Sequence, residues 1–335
     1  MKPILMIGTQ RSGSNLLRLM LNQLSEIASP HPPHILQRMF PLLDHYGDLS
    51  QPANFEQLVD DVCKLVELNP VPWEGVTLDR ADVLRRCREP SLVAVFGAVY
   101  DICGEAQGAS MWCCKSLANV NYGPEMEDYF DRAKYIYLFR DGRDVAVSFS
   151  KAVVGEKHYY HIAKEWSAAQ EKALALRGSV PHERFFMLSY EDLTTDTEAS
   201  ARRLCDFLET DYTDAMLEFH RAEEAKRAAG ASTLWSNVTQ PVMKHNSQKF
   251  LREATPEQIT AFENVAGHVL DALGYERFYV KSGEERSYTP EEIAAFDAEN
   301  ARLKQAMRDT MDQDDLERRD RQANLLKQIQ SSRAA

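Results

Sequence analysis

Twenty residues at the start of the chain restrict its fold more than any others. Lys2-Pro3-Ile4-Leu5-Met6-Ile7 is a short apolar run that reads as a buried strand. Gly8-Thr9-Gln10-Arg11-Ser12-Gly13-Ser14-Asn15 follows as a turn, and Leu16 to Leu21 open a helix. Strand, glycine loop and helix in that order make an anion site, because successive N–H groups at a helix N-terminus converge on one point. Gly8 and Gly13 have the spacing of a nucleotide phosphate loop, but Ser14 and Asn15 stand where its Lys and Ser/Thr would follow. The cation has moved into the loop as Arg11. A nucleoside-triphosphate hydrolase without that Lys and magnesium ligand lacks its main means of neutralising charge, so the loop suits an anion that needs no metal. Taken alone, the pattern also fits a helix that merely follows a strand.

Further short strands read at Met111–Lys115, Ala133–Phe139 and Arg184–Leu188, with helices over about 142–152 and 196–208. Strands alternating with helices predict an α/β fold, a P-loop-type parallel β-sheet flanked by helices. Ligands of such sheets gather at the carboxyl ends of the strands. Arg11, Lys115, Arg140 and Tyr190 all stand just past a predicted strand end. Residues 29–36 form a proline-stiffened loop, and residues 37–108 read as a helical insert broken at Pro41, Pro52, Pro70, Pro72 and Pro90. Thr255-Pro256-Glu257-Gln258 signals a helix start, closed at Gly274, and Thr289-Pro290-Glu291-Glu292 repeats the signal. The second start leads into a long charged C-terminal helix, 290 to about 330, with Ile293, Phe296, Leu303 and Met307 as an apolar stripe. The chain thus divides into a domain at 1–280 and a tail at 281–335. The tail reads as a docking arm, or one through which the chain forms a homo-oligomer, or as a solvated extension.

The chain of 335 residues carries a net charge of -12, which argues against a nucleic-acid or membrane-surface binder. An anionic ligand must then be met by a local concentration of cations and N–H groups. No apolar run is long enough to span a bilayer, and no secretory leader pattern precedes the first strand. Six cysteines without a C-x-x-C pattern fit reduced thiols in a cytoplasm better than a disulfide framework or a zinc site.

A second anion motif follows the third long strand. Arg140 ends it and Ser148 stands eight residues on, in the next helix. A guanidinium fork and a hydroxyl suit a phosphate. Two phosphate sites without a Walker lysine point to a nucleotide phosphorylated at two places. Arg143 either supports the second site or pairs with Asp141 or Asp144.

With these motifs the sequence resembles the sulfotransferases that use 3′-phosphoadenosine 5′-phosphosulfate (PAPS), in their bacterial and tyrosylprotein-like branch. Arg11-Ser12-Gly13-Ser14-Asn15 is similar to that family's 5′-phosphosulfate loop, and the strand ending in Arg140 with Ser148 is similar to its 3′-phosphate motif. Leu188-Ser189-Tyr190-Glu191-Asp192-Leu193 resembles its Tyr-Glu-Asp-Leu signature, and 241–274, with Asn246-Ser247-Gln248-Lys249-Phe250, its cofactor-covering segment. The resemblance covers roughly 3–277 and not the tail. It implies sulfuryl transfer from PAPS, releasing the bis-phosphate PAP, to a hydroxyl or amine of an unidentified acceptor, with no metal. It places the 5′-phosphate on Arg11, Ser12, Gly13, Ser14 and Asn15, and the 3′-phosphate on Arg140 and Ser148. Tyr190, Ser247 and Lys249 are further implied contacts.

The same resemblance makes Arg11 and Lys115 the cations that stabilise the leaving phosphate. It does not supply the base directly, because Lys115-Ser116-Leu117 lacks the His of the cytosolic small-molecule enzymes. The spacing of the tyrosylprotein-like branch points instead to His31, with His34 and Glu26 as alternatives. Histidine suits the task, with an unperturbed pKa of ~6.5. The acceptor pocket is expected between the insert and residues near 153–166, where Tyr159, Tyr160 and Trp166 either line it or pack in the core. A P-loop small-molecule kinase and a non-catalytic nucleotide-binding scaffold are the rival readings.

Overall fold

β1 (Lys2–Gly8) is the axis of the molecule. Every residue from Pro3 to Gly8 is buried, as a central parallel strand with both faces covered requires. Its side chains alternate, Ile4 and Met6 into one apolar layer and Leu5 and Ile7 into the other. The computed structural model describes residues 1–231, 237–244, 246–310 and 313–331.

The sheet has five parallel strands in the order β2-β3-β1-β4-β5, where β2 is Ile27–Ala28, β3 Met111–Cys114, β4 Lys134–Phe139 and β5 Phe185–Ser189. β1 pairs with β3 on one side (Leu5 opposite Cys114) and with β4 on the other (Gly8 opposite Leu138). This register brings the residues that follow β1, β3 and β4 to one edge.

The sequence reading of four strands missed β2. α1 (Ser14–Leu21) ends early, and the chain turns back to lay Ile27 and Ala28 beside Met111 and Trp112. Two paired residues after a turn leave no periodic signal. The helical insert begins slightly before its expected start, with α2 (Ile35–Met39), α3 (Pro52–Glu67), α4 (Arg80–Arg86) and α5 (Leu92–Ala106). These helices cover the face that carries Leu5, Ile7, Trp112 and Tyr135. α6 (Gly123–Tyr129) joins β3 to β4, and α7 (Gly142–Ser150) and α8 (Tyr159–Ser179) lie between β4 and β5. Past β5 come α9 (Tyr190–Thr195), α10 (Thr197–Leu208) and α11 (Glu223–Ala231), and α1 and α10 cover the second face.

α12 (Phe250–Glu253) and α13 (Pro256–Ala272) follow. α13 starts with the capping box expected at Thr255 and packs along α8. Tyr159, Tyr160 and Trp166 are buried on α8, the last against Phe262 with ring centres 5.6 Å apart, so these aromatics are packing residues. The span read as one long C-terminal helix carries two, α14 (Pro290–Arg308) and α15 (Gln313–Ser331). Residues 311 and 312 of that span lie outside the described residues. A turn at Asp309 and Thr310 ends α14, and α15 folds back onto the insert with Leu325 and Ile329 in the core. Phe296 of the expected stripe stacks on His158 at 4.5 Å, so this residue packs against the start of the chain's own α8.

Gly142 marks how tightly α7 is seated. A Cβ there would stand 2.3 Å from Phe262 Cζ and 2.6 Å from Trp166 Cδ2. Gly142→Ala is expected to lower stability by about 1–3 kcal/mol through overpacking, read as a fall in the urea midpoint with an unchanged slope.

Candidate active site

The loop after β1 is held open by backbone that only certain residues adopt. Gly8 and Gly13 have φ of 135° and 86°. A Cβ on Gly8 would sit 2.2 Å from the Leu138 carbonyl oxygen, and one on Gly13 2.5 Å from the Tyr190 ring. Arg11 itself has φ 69°, a left-handed conformation that costs a non-glycine residue free energy and clusters at functional sites. Ser12 is buried beneath the loop with its Oγ 3.2 Å from Thr9 Oγ1. Thr9 in turn accepts from Gln170 Nε2 at 3.1 Å, which ties the loop to α8.

Arg140, at the end of β4, gathers the other motifs around this loop. Its Nη1 donates to the Arg11 carbonyl at 3.2 Å, and its Nη2 to the Asn246 carbonyl at 2.5 Å and Asp144 at 3.3 Å. The guanidinium lies over the Tyr190 ring at 4.2 Å, and Tyr190 Oη accepts from Asn246 Nδ2 at 2.6 Å. Arg11 Nε donates to Ser148 Oγ at 2.8 Å, so the two expected phosphate motifs meet directly. Burial and the charge of Arg140 both lower the pKa of Arg11. A half-buried and a buried guanidinium side by side, with Asp144 as the nearby carboxylate, leave an excess of positive charge.

The excess faces a cleft of about 450 Å³. Arg11, Gly13, Ser14, Asn15, Arg140, Ser148, Tyr190 and Lys249 line it, whereas Ser12, Ser247, His31 and Lys115 do not. Asn15 Oδ1 and Arg140 Nε are buried there and have no hydrogen-bond partner among the described residues. Leu16, Phe219, Val238 and Val242 form an apolar wall. Arg143 is not part of it: its guanidinium pairs with Asp141 and Glu263, each at 2.7 Å, and serves the fold.

Lys115 and His31 form a second, deeper group. Lys115 follows β3 and is buried, and burial, then the charges of Arg18 and Arg11, bring its pKa down to about 7. His31 is also buried, and its pKa falls well below the ordinary histidine value through burial and the charges of Lys115, Arg18 and His34, with a hydrogen bond to Asn69 opposing. Its imidazole is therefore neutral, the form that accepts a proton. The His31 carbonyl accepts from Trp73 Nε1 at 2.7 Å and Asn69 Nδ2 at 2.8 Å, two residues of the insert. His34 Nδ1 lies 2.9 Å from Ser116 Oγ. Glu26, the other alternative base, precedes β2, and its carbonyl accepts from the amides of Ser110 and Met111, at the edge of the sheet opposite the anion loop.

A scan of family models matches residues 3–214, more than half of the chain, to a model described as the sulfotransferase family. The chain belongs to the sulfotransferase family. It is 22% identical over 276 residues to the protein-tyrosine sulfotransferase A of Caenorhabditis elegans, and 21% over 285 residues to the protein-tyrosine sulfotransferase of Drosophila melanogaster. These alignments take in 80% and 82% of this chain but 66% and 52% of those relatives, so the chain spans only part of their length. Among solved structures, the sulfotransferase domain of the Synechococcus PCC 7002 olefin synthase shares the fold, with TM-score 0.59 and 20% identity over 82% of this chain and 94% of that one. The sulfotransferase domain of the curacin biosynthetic pathway gives TM-score 0.56 and 19% identity, over 82% and 98%. The family model stops before the cleft wall at 237–249 and before the tail.

Sequence reasoning missed Arg18, Lys157 and Gln170. Arg18 looks like a surface residue of an amphipathic helix, yet it is fully buried beside Lys115 and His31. Lys157 is buried with its Nζ donating to the carbonyls of Phe149, Val154 and Gly155, and burial brings its pKa to about 8. No sequence pattern singles these residues out, because their partners are backbone oxygens, remote charges and, for Gln170, the hydroxyls of the distant Thr9 and Tyr137. The Lys115 ammonium is expected to titrate close to pH 7, while exposed lysines titrate near ~10.4. Lysine Cε chemical shifts followed against pH, with Lys115→Met assigning the signal, check this.

Proposed function

We propose that this protein transfers a sulfuryl group from PAPS to a hydroxyl or amine, leaving PAP. One observation carries the reading: the guanidiniums of Arg11, half-buried, and Arg140, buried, stand together past the ends of adjacent strands and line one cleft with the loop Gly13–Asn15. The donor atoms suit an anion with two charged ends. The N-terminus of α1, with Arg11, would hold the 5′ end, and Arg140, Ser148 and Lys249 the 3′-phosphate. Ser14 and Asn15 stand where a kinase would carry its lysine and magnesium ligand, which disfavours the kinase reading.

The donor supplies a sulfuryl group whose bond to the 5′-phosphate oxygen breaks as the acceptor oxygen bonds to sulfur. Negative charge then develops on that phosphate, where Arg11 and Lys115 act as electrostatic stabilisers. Lys115, with its lowered pKa, regains full charge when an anion lies beside it. His31, neutral at physiological pH, takes the acceptor's proton. The names of the relatives make a peptide tyrosine the first acceptor to test, beside small phenols, alcohols and amines. Six free cysteines accord with a cytoplasmic setting, which we propose with the activity. Among the described residues no helix is long and apolar enough to cross a membrane.

Incubation with PAPS without magnesium is expected to yield PAP and a sulfated acceptor from such a panel. ATP turnover instead would favour a kinase, and tight PAP binding with no turnover a scaffold. Arg11→Ala and Arg140→Ala are each expected to weaken PAP binding by at least about 100-fold in calorimetry, since each removes charge-assisted bonds of about 1.5–3 kcal/mol. Wild-type affinity in both variants would remove the cofactor assignment. His31→Ala should cut turnover by about 10²–10⁴-fold while leaving PAP affinity intact. The pH response follows from Lys115. An anion raises its pKa above the free value of about 7, so binding takes up a proton and affinity falls as pH rises from 7 toward the bound pKa. Calorimetry in buffers of different ionisation enthalpy reads that proton directly.

A further inference from the structure

Arg18 sits on α1, one turn beyond the anion loop, and none of its surface is exposed. Its Nη1 donates to the Ser29 carbonyl at 2.8 Å and also contacts Glu224 of α11. Asn22, four residues on, faces the same way. Its Oδ1 accepts from the Ser29 amide at 2.9 Å, and its Nδ2 donates to Glu224 Oε2 at 2.5 Å. Both backbone groups of Ser29 are thus held by α1, two residues before His31. On the other side the His31 carbonyl is held by Asn69 and Trp73. Pro30, Pro32 and Pro33 stiffen what lies between.

We infer that Arg18 positions the loop that carries His31, and that Glu224 is the side chain that fixes Arg18. This rests on the reading of His31 as the base. A buried cation is a costly occupant of a helix whose other buried side chains include Leu17, Leu19, Met20 and Leu21. Arg18 Nε and Nη2 are buried with no hydrogen-bond partner among the described residues, which adds to that cost. A methionine would fill the space without it. What the guanidinium contributes instead is the grip on Ser29 and a positive charge beside the imidazole. The groups facing His31 are Lys115 past β3, Arg18 on α1 and His34 in the same loop, with Asn69 bonding from the insert. Arg18 does not line the nucleotide cleft, so its role is separable from cofactor binding. The α11 end of the grip adjoins that cleft, because Phe219, in the short turn Phe219–Arg221 just before α11, forms part of the cleft wall.

The test uses the full chain with PAPS hydrolysis as the turnover probe, water serving as acceptor. In Arg18→Met the Ser29 amide is expected to exchange with solvent at least about tenfold faster. The His31 imidazole should titrate at higher pH by ¹⁵N NMR, because a facing cation is gone. PAPS hydrolysis should slow by at least about tenfold, while PAP affinity stays within about threefold. Glu224→Gln keeps the shape and is partly solvent-exposed, so it serves if Arg18→Met fails to fold; faster Ser29 exchange is expected there too. Unchanged Ser29 exchange in Glu224→Gln, or unchanged exchange and His31 titration in folded Arg18→Met, would overturn the inference. Full-rate hydrolysis by His31→Ala would instead remove the base reading, a separate result from a separate variant.

Discussion

The rest of the site depends on the guanidinium of Arg140. It reaches the carbonyls of Arg11 and Asn246, the carboxylate of Asp144 and the face of Tyr190. Four stretches far apart in sequence meet on this one side chain: the loop after β1, the start of α7, the start of α9 and the segment before α12. A lysine there would offer a point charge without the planar fork, and could not stack on Tyr190 while bonding two carbonyls. Three of the four stretches are secured again nearby. Asp144 accepts from the Phe250 amide at 3.1 Å, and Glu191 accepts from the Asp141 amide at 3.2 Å and from Tyr275 Oη at 3.0 Å. Glu263 takes the amides of Phe278, Tyr279 and Val280 as well as Arg143. The acidic residues near the cleft are therefore engaged by backbone amides, by Tyr275 and by Arg140, Arg143 and Lys151, and among the described residues Arg11 has no carboxylate partner.

That division explains how a chain of net charge -12 presents an anion site. Solvent-exposed carboxylates are screened, with a Debye length of about 8 Å at physiological salt, while the buried cations are screened far less. Burial first, and then the charge of Arg140 on Arg11 and of Arg18 and Arg11 on Lys115, lowers the pKa values of Arg11 and Lys115. A bound dianion would relieve this repulsion. The binding energy of such a site comes partly from the cost of leaving it empty.

Much of this was legible in the sequence. The glycine loop, the arginine at a strand end and the paired Thr-Pro helix starts each have a local physical cause, and each was found where expected. The family resemblance then placed Arg11, Arg140, Ser148, Tyr190 and Lys249 around a common ligand, and all five line one cleft. What escaped was set by distant partners. β2 exists because β3 offers an edge to Ile27 and Ala28, not because those residues form a strand alone. The burial of Arg18 depends on Glu224, 206 residues away. The fate of Arg143 was open because both Asp141 and Asp144 stood near it; geometry gave it Asp141 and left Asp144 to Arg140.

The tail shows how far such remote pairing reaches. Asn300 on α14 is buried, and its Oδ1 accepts from the amides of Lys157 and His158 at 2.8 and 3.0 Å. Those amides end the loop after α7, whose earlier residues Lys151, Ala152 and Val153 line the nucleotide cleft. Lys157 gathers the same loop from within by donating to two of its carbonyls, Val154 and Gly155, and to that of Phe149 at the end of α7. On α15, Gln322 donates to the Leu65 carbonyl at 2.7 Å and accepts from Arg38, binding the tail to α3 and α2 of the insert. The insert also supplies Asn69 and Trp73, which hold the His31 carbonyl. One tail thus braces both the loop beside Ser148 and the insert behind His31. Its helices carry none of the residues assigned to the nucleotide or the proton, and their contribution lies in fixing the elements that do.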